Sequence, residues 1–181
     1  MPVCRRRSIC TRGLPPTSRR RRAGYPTKQR RITMKHLSTD KIDVHALWAQ
    51  AHHPEAGGVV LFSGEVRNNH QGQEVSHLFY EAAEPMAEKM IAALLAEATE
   101  RWGLQVAIAV HRLGEVVVMD TAVVVITAAT HRQEAYTANQ YIIDQIKHQV
   151  PLWKCEHFVD GTRAWGGHCS CQHAPLTNKI P

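Results

Sequence analysis

Residues 131–154 read HRQEAYTANQYIIDQIKHQVPLWK and contain a helix signal, a stop and a strand signal in succession. The apolar positions recur with the period of an α-helix and form one stripe: Ala135, Ala138, Ile142 and Ile146. We therefore predict a helix over about 131–149. Pro151 ends it, because proline cannot donate the backbone hydrogen bond that a helix interior needs. Lys154 then falls where a strand is expected.

The preceding segments predict further strands and one more helix. Residues 59–66 form a continuous apolar run typical of a buried strand, and residues 75–82 read as a second strand. A helix begins at Glu84-Pro85, where the missing N–H of proline costs nothing, and closes at Gly103. We expect six residues on its buried face: Met86, Met90, Ile91, Leu94, Leu95 and Ala98.

The remaining apolar segments complete the element order. Residues 41–50 read as a short helix or a strand–helix entry, and β-branched runs at 104–110, 116–119 and 121–128 predict three strands. The order is therefore strands, helix, strands, helix and short strands. That order predicts an α+β domain.

Charge separates the N-terminal segment from the rest of the chain. Residues 1–35 hold 12 of the 22 Lys and Arg residues and none of the 16 Asp and Glu residues, so the remainder has a net charge of −6. The Arg-rich segment lacks apolar periodicity, and we expect it to be disordered. It could be a basic arm for nucleic acid, a transit peptide, or an upstream extension of the reading frame with Met34 as the start. The change in composition at Met34 favours the extension.

Composition also limits the class of protein. No apolar run approaches the ~20 residues that a membrane span needs, and five cysteines without a disulfide spacing suit a reducing cytoplasm. The chain has no Walker loop, dinucleotide fingerprint or Gly-x-Ser-x-Gly elbow. The tract HCSCQH at 168–173 offers metal ligands, but they are too close in sequence to wrap one tetrahedral ion easily. Neither a metal nor a cofactor is predicted.

Five basic residues are candidates for chemistry: Arg67, His131, Arg132, Lys147 and Lys154. The two lysines flank a Pro-Leu-Trp turn, and lysines in such a partly dry setting suit acid–base or covalent work. His131 and Arg132 open a helix, whose N-terminus attracts anions, and Arg67 follows a buried strand. Each residue could instead be a solvated charge or a surface cap. Together they predict a pocket for an anionic substrate.

Four ordered motifs lie within residues 55–165. They are GVVLFSGEVRN at 58–68, HRLGE at 111–115, ATHR at 129–132 and KHQVPLWK at 147–154. In these motifs the chain resembles the catalytic (large) subunits of molybdopterin synthase, the MoaE family. The resemblance implies an α/β hammerhead fold with an additional small antiparallel β subdomain. It divides the chain into an N-terminal extension over 1–34, a catalytic domain over 35–166 and a C-terminal tail over 167–181.

The same resemblance implies a sulfurtransferase of molybdenum cofactor biosynthesis. Such enzymes are homodimers at the centre of a heterotetramer, and each end of the dimer binds a small ubiquitin-like sulfur-carrier subunit. The C-terminal Gly-Gly tail of that partner carries a thiocarboxylate, whose sulfur passes to cyclic pyranopterin monophosphate. Two transfers give the dithiolene of molybdopterin. The partner supplies the sulfur, so no cofactor and no catalytic cysteine are implied.

Residue roles follow from the matched motifs. The resemblance assigns catalysis to Lys147 and Lys154. It assigns substrate binding to these lysines and to seven further positions: Glu65, Val66, Arg67, His131, Arg132, Cys155 and Glu156. The His131–Arg132 pair is implied to reach the pocket of the other subunit across the dimer interface. From the residues alone, Cys155 reads as a packed or half-exposed thiol. The Arg-rich front and the His/Cys-rich end depart from the usual pattern of the family.

Two other functions compete with this hypothesis. A nucleic-acid-binding protein led by the basic arm is disfavoured, because the remainder of the chain is acidic and lacks aromatics interleaved with basic residues. An inactive scaffold that binds the small subunit without turnover is disfavoured by the presence of both lysines.

Overall fold

The computed structural model describes residues 34–166, which form two sheets and three helices. The mixed architecture confirms the predicted α+β class and the hammerhead arrangement. The elements in chain order are β1 (Leu37–Ser38), α1 (Val44–Gln50), β2 (Gly58–Glu65), β3 (Asn69–His70), β4 (Gln73–Ala82), α2 (Glu84–Trp102), β5 (Val106–Arg112), β6 (Gly114–Val117), β7 (Thr121–Ala129), α3 (Arg132–Gln149), β8 (Leu152–Phe158) and β9 (Arg163–Gly166).

The four-stranded sheet has the strand order β1-β5-β7-β2 and two covered faces. Only β1 pairs in parallel; β5, β7 and β2 are antiparallel neighbours. Side chains alternate across a strand, so Val123 and Val125 of β7 face α2 and α3, while Val124 and Ile126 face α1. Both groups are buried, which explains why β7 reads as a continuous apolar run.

The five-stranded sheet is antiparallel and is built around β4. Strand β8 pairs along one edge of β4, with β9 beyond it, while β3 and β6 pair with the other edge. A small core of Val66, Val75, Val116, Ala122 and Phe158 lies on this sheet. Tyr80 of β4 packs against both this core and the core under the helices. It therefore joins the two layers at the point where the site is found.

Two glycines bring the start of β2 against the start of α3. A Cβ at Gly57 would lie 2.4 Å from the carbonyl oxygen of Thr130, and one at Gly58 would lie 3.0 Å from Cα of Arg132. Only glycine fits such an approach of two backbones. Arg132 is thereby fixed at the same end of the four-stranded sheet as Gly58.

The buried face of α2 differs from the prediction at its first turn. Met86 is exposed, and Ala87 takes the inward position together with Ile91, Leu94, Leu95 and Ala98. The predicted stripe beginning at Met86 was therefore wrong by one residue there. Ala87 is fully buried in the core under the helices, and Met90 is only partly buried.

Several expectations concern residues outside those described. The Arg-rich extension and the 168–173 tract belong to this group, as does the tail from 167 onward. Within residues 34–166, no helix has the length and apolar character to cross a membrane. Over the same residues, no three His, Cys, Asp or Glu side chains are grouped to hold a metal ion.

Candidate functional site

Lys147 lies in the last turn of α3, where its charge is exposed to solvent. Its ammonium nitrogen lies 5.9 Å from the centre of the Phe62 ring on β2, within the range of a cation–π contact. The partly dry setting expected for this lysine is therefore not present in the single chain. Phe62 instead provides one apolar wall, and the other side is open.

His111, at the end of β5, is the buried neighbour of Lys147. Burial, opposed by a backbone hydrogen bond to Arg112 and assisted by the charge of Lys147, lowers the pKa of His111 from 6.5 to about 4. Its Nδ1 lies 2.8 Å from the carbonyl oxygen of Arg112. A carbonyl only accepts, so Nδ1 carries the proton. The ring is therefore neutral near pH 7 and leaves Nε2 as an acceptor.

Tyr80 connects this histidine with the second lysine. The rings of Tyr80 and His111 meet edge to face, with centroids 4.8 Å apart. Tyr80 is also paired directly with Lys154 across β4 and β8, so both side chains stand on the same face of the sheet. Burial, with a smaller effect from the charge of Glu156, raises the pKa of Tyr80 to about 12. The hydroxyl therefore stays protonated at physiological pH.

Lys154 is held by a carboxylate on its own strand. Its Nζ donates to Oε1 of Glu156 at 2.7 Å, and Glu156 is only 4% exposed. Nδ1 of His70 lies 3.5 Å from the same oxygen. Gly166 on β9 is opposite Lys154, and a Cβ there would lie 3.0 Å from Cε of the lysine. The lysine stem therefore passes over a glycine and the ammonium is fixed by Glu156.

Two predicted binding residues on β8 face in opposite directions. Glu156 shares the face of Lys154, whereas Cys155 points to the other face, because side chains alternate along a strand. Cys155 is 2% exposed and lines a cleft of about 210 Å³ with Phe79 and Trp165. The packed thiol expected from the residues is confirmed, and its side chain lies away from both lysines.

Three predicted binding residues lie at the end of β2 and just after it, and they differ in burial: Glu65, Val66 and Arg67. Val66 is 2% exposed in the small core; its N–H donates to the Asp120 carbonyl and its carbonyl accepts from the Met119 N–H. Val66 therefore fixes the loop, and its backbone N–H is already used in doing so. Glu65 and Arg67 on either side are exposed. Their assignment to substrate binding stays a prediction.

His131 and Arg132 lie at the far end of α3 from Lys147. His131 is the N-cap residue, and both side chains are exposed. Fifteen residues separate Arg132 from Lys147, and at 1.5 Å per helical residue this is roughly 22 Å. Within one chain, the Tyr80–His111 contact links the surroundings of Lys147 with those of Lys154, whereas the His131–Arg132 pair lies apart.

Four side chains of this cluster were not predicted as site residues: Phe62, His70, Tyr80 and His111. His111 lies in the HRLGE motif, so that motif was a usable signal. The other three come close to the lysines through strand pairing and helix packing between distant segments. The cluster as a whole combines two ammonium groups with one carboxylate, Glu156, around a neutral Tyr80–His111 pair. The remaining positive charge suits an anionic ligand and the stabilisation of developing negative charge.

The fold and the site thus define an α+β protein with a cationic cluster between its two sheets. The family model of the MoaE protein matches residues 37–149. A molybdopterin synthase catalytic subunit from Staphylococcus carnosus (strain TM300) is 44% identical over 115 residues, which are 64% of this chain and 76% of that protein. The chain belongs to the MoaE family.

Solved structures agree with this assignment. The crystal structure of molybdopterin synthase from Staphylococcus aureus has a TM-score of 0.70 at 36% identity, covering 74% of this chain and 97% of that chain. A complex of subunits 1 and 2 of molybdopterin-converting factor from Helicobacter pylori 26695 has a TM-score of 0.60, and at 19% identity it shows likeness of fold alone. The match to the family model ends at 149, so Lys154 and Glu156 lie outside it.

Proposed function

We propose that this chain is the catalytic subunit of a molybdopterin synthase, a sulfurtransferase of molybdenum cofactor biosynthesis acting in the cytoplasm. It would move sulfur from the thiocarboxylated C-terminus of a small sulfur-carrier subunit to cyclic pyranopterin monophosphate. The observation that carries this proposal is the placement of Lys147 and Lys154 on two sides of the Tyr80–His111 contact. Membership of the MoaE family supports it.

The charges of the reactants require a cationic site. The pterin precursor carries a phosphate and the sulfur donor is a thiocarboxylate, so both are anions that must come close together. Ammonium groups reduce their repulsion and orient them. Lys147 is open on one side, and the side chain of Lys154 is 35% exposed, so each can meet a ligand.

In each transfer, the sulfur forms a bond to the pterin precursor and loses its bond to the acyl carbon of the small subunit. The thiocarboxylate sulfur attacks an oxygen-bearing carbon of the pterin precursor and forms a C–S bond, while the C–O bond at that carbon breaks and the oxygen leaves with its electron pair and takes up a proton. Water then attacks the acyl carbon, the acyl–sulfur bond breaks, and the partner is left with an ordinary carboxylate. In this scheme Lys147 acts as general acid/base or stabilises the tetrahedral intermediate, and Lys154 holds the incoming thiocarboxylate.

Phosphate and pterin would be bound by Arg67, His131 and Arg132. Because His131 and Arg132 lie roughly 22 Å along α3 from Lys147, one pocket can contain both groups only if a second copy supplies the pair. This supports a homodimer with two shared pockets. With one small ubiquitin-like subunit at each end, the assembly is a heterotetramer.

Product formation from the pterin precursor and thiocarboxylated small subunit tests the proposal. We expect Lys147→Ala to lower the rate roughly 100-fold or more, as for loss of a general acid or base, while the dimer stays intact. Lys89→Ala is the matched control, since Lys89 is an exposed lysine on α2. Near-normal turnover by Lys147→Ala would refute the role of this lysine, and an inactive wild-type chain would refute the function.

Lys147→Arg separates the two possible roles of this lysine. Arginine keeps the positive charge but does not give up its proton. An active Lys147→Arg variant indicates that the lysine stabilises charge, and an inactive one indicates that it transfers a proton.

A further inference from the structure

Glu156 is a buried carboxylate whose partner has a second task in the proposed reaction. It is 4% exposed, and its Oε1 accepts a hydrogen bond from Nζ of Lys154 at 2.7 Å. The proposed function gives Lys154 another anion to hold, the thiocarboxylate of the small subunit. An ammonium that turns to that anion weakens its bond to Glu156, and a desolvated carboxylate without a donor is unfavourable. Capture of the anion is therefore opposed at Glu156 unless another group donates to it.

His70 lies where such a donor is needed. Its Nδ1 is 3.5 Å from the same Oε1 of Glu156. A carboxylate only accepts, so the ring nitrogen that faces it carries the proton. At 3.5 Å this contact is looser than the 2.7 Å bond from Lys154, which already occupies the oxygen. Among residues 34–166, Lys154 and His70 are the two basic side chains within ion-pair distance of this carboxylate.

A tight hairpin fixes the backbone of His70. This residue is the last of β3 and pairs with Gln73 of β4. Gln71 and Gly72 between them have φ angles of 51° and 85°, the left-handed conformation that a two-residue hairpin turn needs. Because the backbone is held by the turn and the pairing, rotation of the side chain is what shortens the contact between His70 and Glu156.

The end of the Lys154 side chain is accessible to an incoming anion. Gly166 of β9 lies opposite Lys154, and a Cβ there would be 3.0 Å from Cε and 3.8 Å from Nζ. The stem therefore lies against the backbone of β9. The side chain as a whole is 35% exposed, so the ammonium can turn from Glu156 towards a ligand.

We propose that His70 is a positioning residue for the sulfur donor: when Lys154 turns from Glu156 to the C-terminal anion of the small subunit, Nδ1–H of His70 donates to the vacated Oε1. This inference rests on the proposed function, because that function gives Lys154 the anion to bind. His70 acts through Glu156 and touches neither substrate. Without its donor, the release of Lys154 is less favourable and capture of the anion is weaker. Before capture Lys154 satisfies Glu156, so the free chain depends little on His70.

Substitutions at position 70 separate the donor from the ring. The amide nitrogen of asparagine takes the place of Nδ1 and can donate to Glu156, whereas that of glutamine takes the place of Nε2. His70→Phe keeps an aromatic ring and removes both nitrogens. His45, an exposed histidine on α1, provides the matched control His45→Gln.

Titration calorimetry with the small subunit measures capture of its C-terminus without turnover. We expect His70→Gln and His70→Phe to raise Kd for the subunit with its complete Gly-Gly end roughly 10-fold, the loss typical of one hydrogen bond to a charged group. A subunit without these two residues is too short for its terminal anion to reach Lys154, so wild type and variants should bind it equally. His70→Asn and His45→Gln should bind both subunits as wild type does.

Steady-state kinetics should show the same contrast. We expect His70→Gln to raise KM for the thiocarboxylated subunit roughly 10-fold, while kcat, KM for the pterin precursor and the thermal midpoint of the free chain stay near their wild-type values. Wild-type Kd in His70→Phe overturns the inference. An equal rise in Kd for the complete and the shortened subunit also overturns it, because His70 would then serve the interface or the fold. A wild-type chain that neither binds the small subunit nor makes product would instead refute the proposed function, and the inference with it.

Discussion

Glu156 determines where the ammonium of Lys154 lies. Its carboxylate is 4% exposed, accepts from Lys154 at 2.7 Å and has His70 at 3.5 Å from the same oxygen. A buried carboxylate is costly unless cations or hydrogen-bond donors compensate it, and here two side chains do so. The carboxylate of Glu156 therefore fixes the position of the Lys154 ammonium and does not add to the positive charge of the site.

Glu156→Gln tests this role without changing the shape of the side chain. We expect kcat/KM to fall about tenfold or more, because Lys154 loses its charged acceptor. The amide can still accept a hydrogen bond, so the free energy of unfolding should change by only about 1 kcal/mol. Glu81→Gln, an exposed carboxylate on the other face of the same sheet, is the control. Unchanged kcat/KM in Glu156→Gln would contradict the role.

His111 makes the stability of the fold depend on pH. Its pKa is lowered from 6.5 to about 4, chiefly by burial, so the unfolded chain takes up this proton at a higher pH than the folded chain does. The stabilisation is therefore complete above pH 6.5 and is lost as the pH falls towards about 4. A shift of this size corresponds to about 3 kcal/mol.

Urea unfolding of wild type and His111→Gln at pH 7 and at pH 4 measures this contribution. Other groups titrate equally in both proteins, so the difference between them isolates His111. We expect the stability advantage of wild type to shrink by about 3 kcal/mol between the two pH values. A difference that is independent of pH would show that His111 is not a buried neutral imidazole.

At the scale of elements, α3 is fixed to the four-stranded sheet by a polar residue within its apolar stripe. Asn139 is 4% exposed, and its Nδ2 lies 3.2 Å from the Val60 carbonyl oxygen and 3.1 Å from that of Val125. These contacts tie the helix to β2 and β7 at once. They set the height of Lys147 above Phe62, because both lysine and ring depend on the register between α3 and β2.

Asn139→Leu tests the fixing of α3. The substitution keeps the side-chain volume nearly constant but removes the donors, and we expect a loss of about 1–3 kcal/mol in the free energy of unfolding. Gln140→Leu places the same side chain on the exposed face of the helix one residue later and serves as the control. Equal stability of both variants in urea unfolding would show that the buried amide contributes nothing.

The sequence predicted the elements better than it predicted their contacts. Period and stop signals placed α2, α3 and the main strands, because these depend on neighbouring residues. The opposition of Tyr80 and Lys154 depends on the register of β4 with β8, two segments separated by the whole of α2 to α3. No local pattern carries that register. The contact of His70 with Glu156 could not be predicted for the same reason, because it depends on the pairing of the short strand β3.

At the scale of the whole molecule, the basic residues at the two ends of α3 are too far apart for a single chain to bring them into one pocket. Lys147 and Lys154 are linked through the Tyr80–His111 contact, and His131 and Arg132 lie at the other end of the helix. If both groups serve the same reaction, each pocket of the proposed dimer combines residues of two chains. In a symmetric dimer the same exchange then occurs twice.

Mixed dimers make this arrangement testable. Arg132→Ala and Lys147→Ala each remove an essential part of both pockets in their own homodimers, so each protein alone should be nearly inactive. When the two are unfolded together and refolded at equal amounts, half of the dimers contain one subunit of each kind. In such a dimer both substitutions fall in one pocket and the other pocket is intact, so we expect about one quarter of wild-type turnover.

Two controls accompany the mixture: each variant refolded alone, and the double variant refolded with wild type. A mixture no more active than its separate components would show that Arg132 and Lys147 do not meet across the interface. Full independence of turnover from Arg132 would remove that residue from the site altogether.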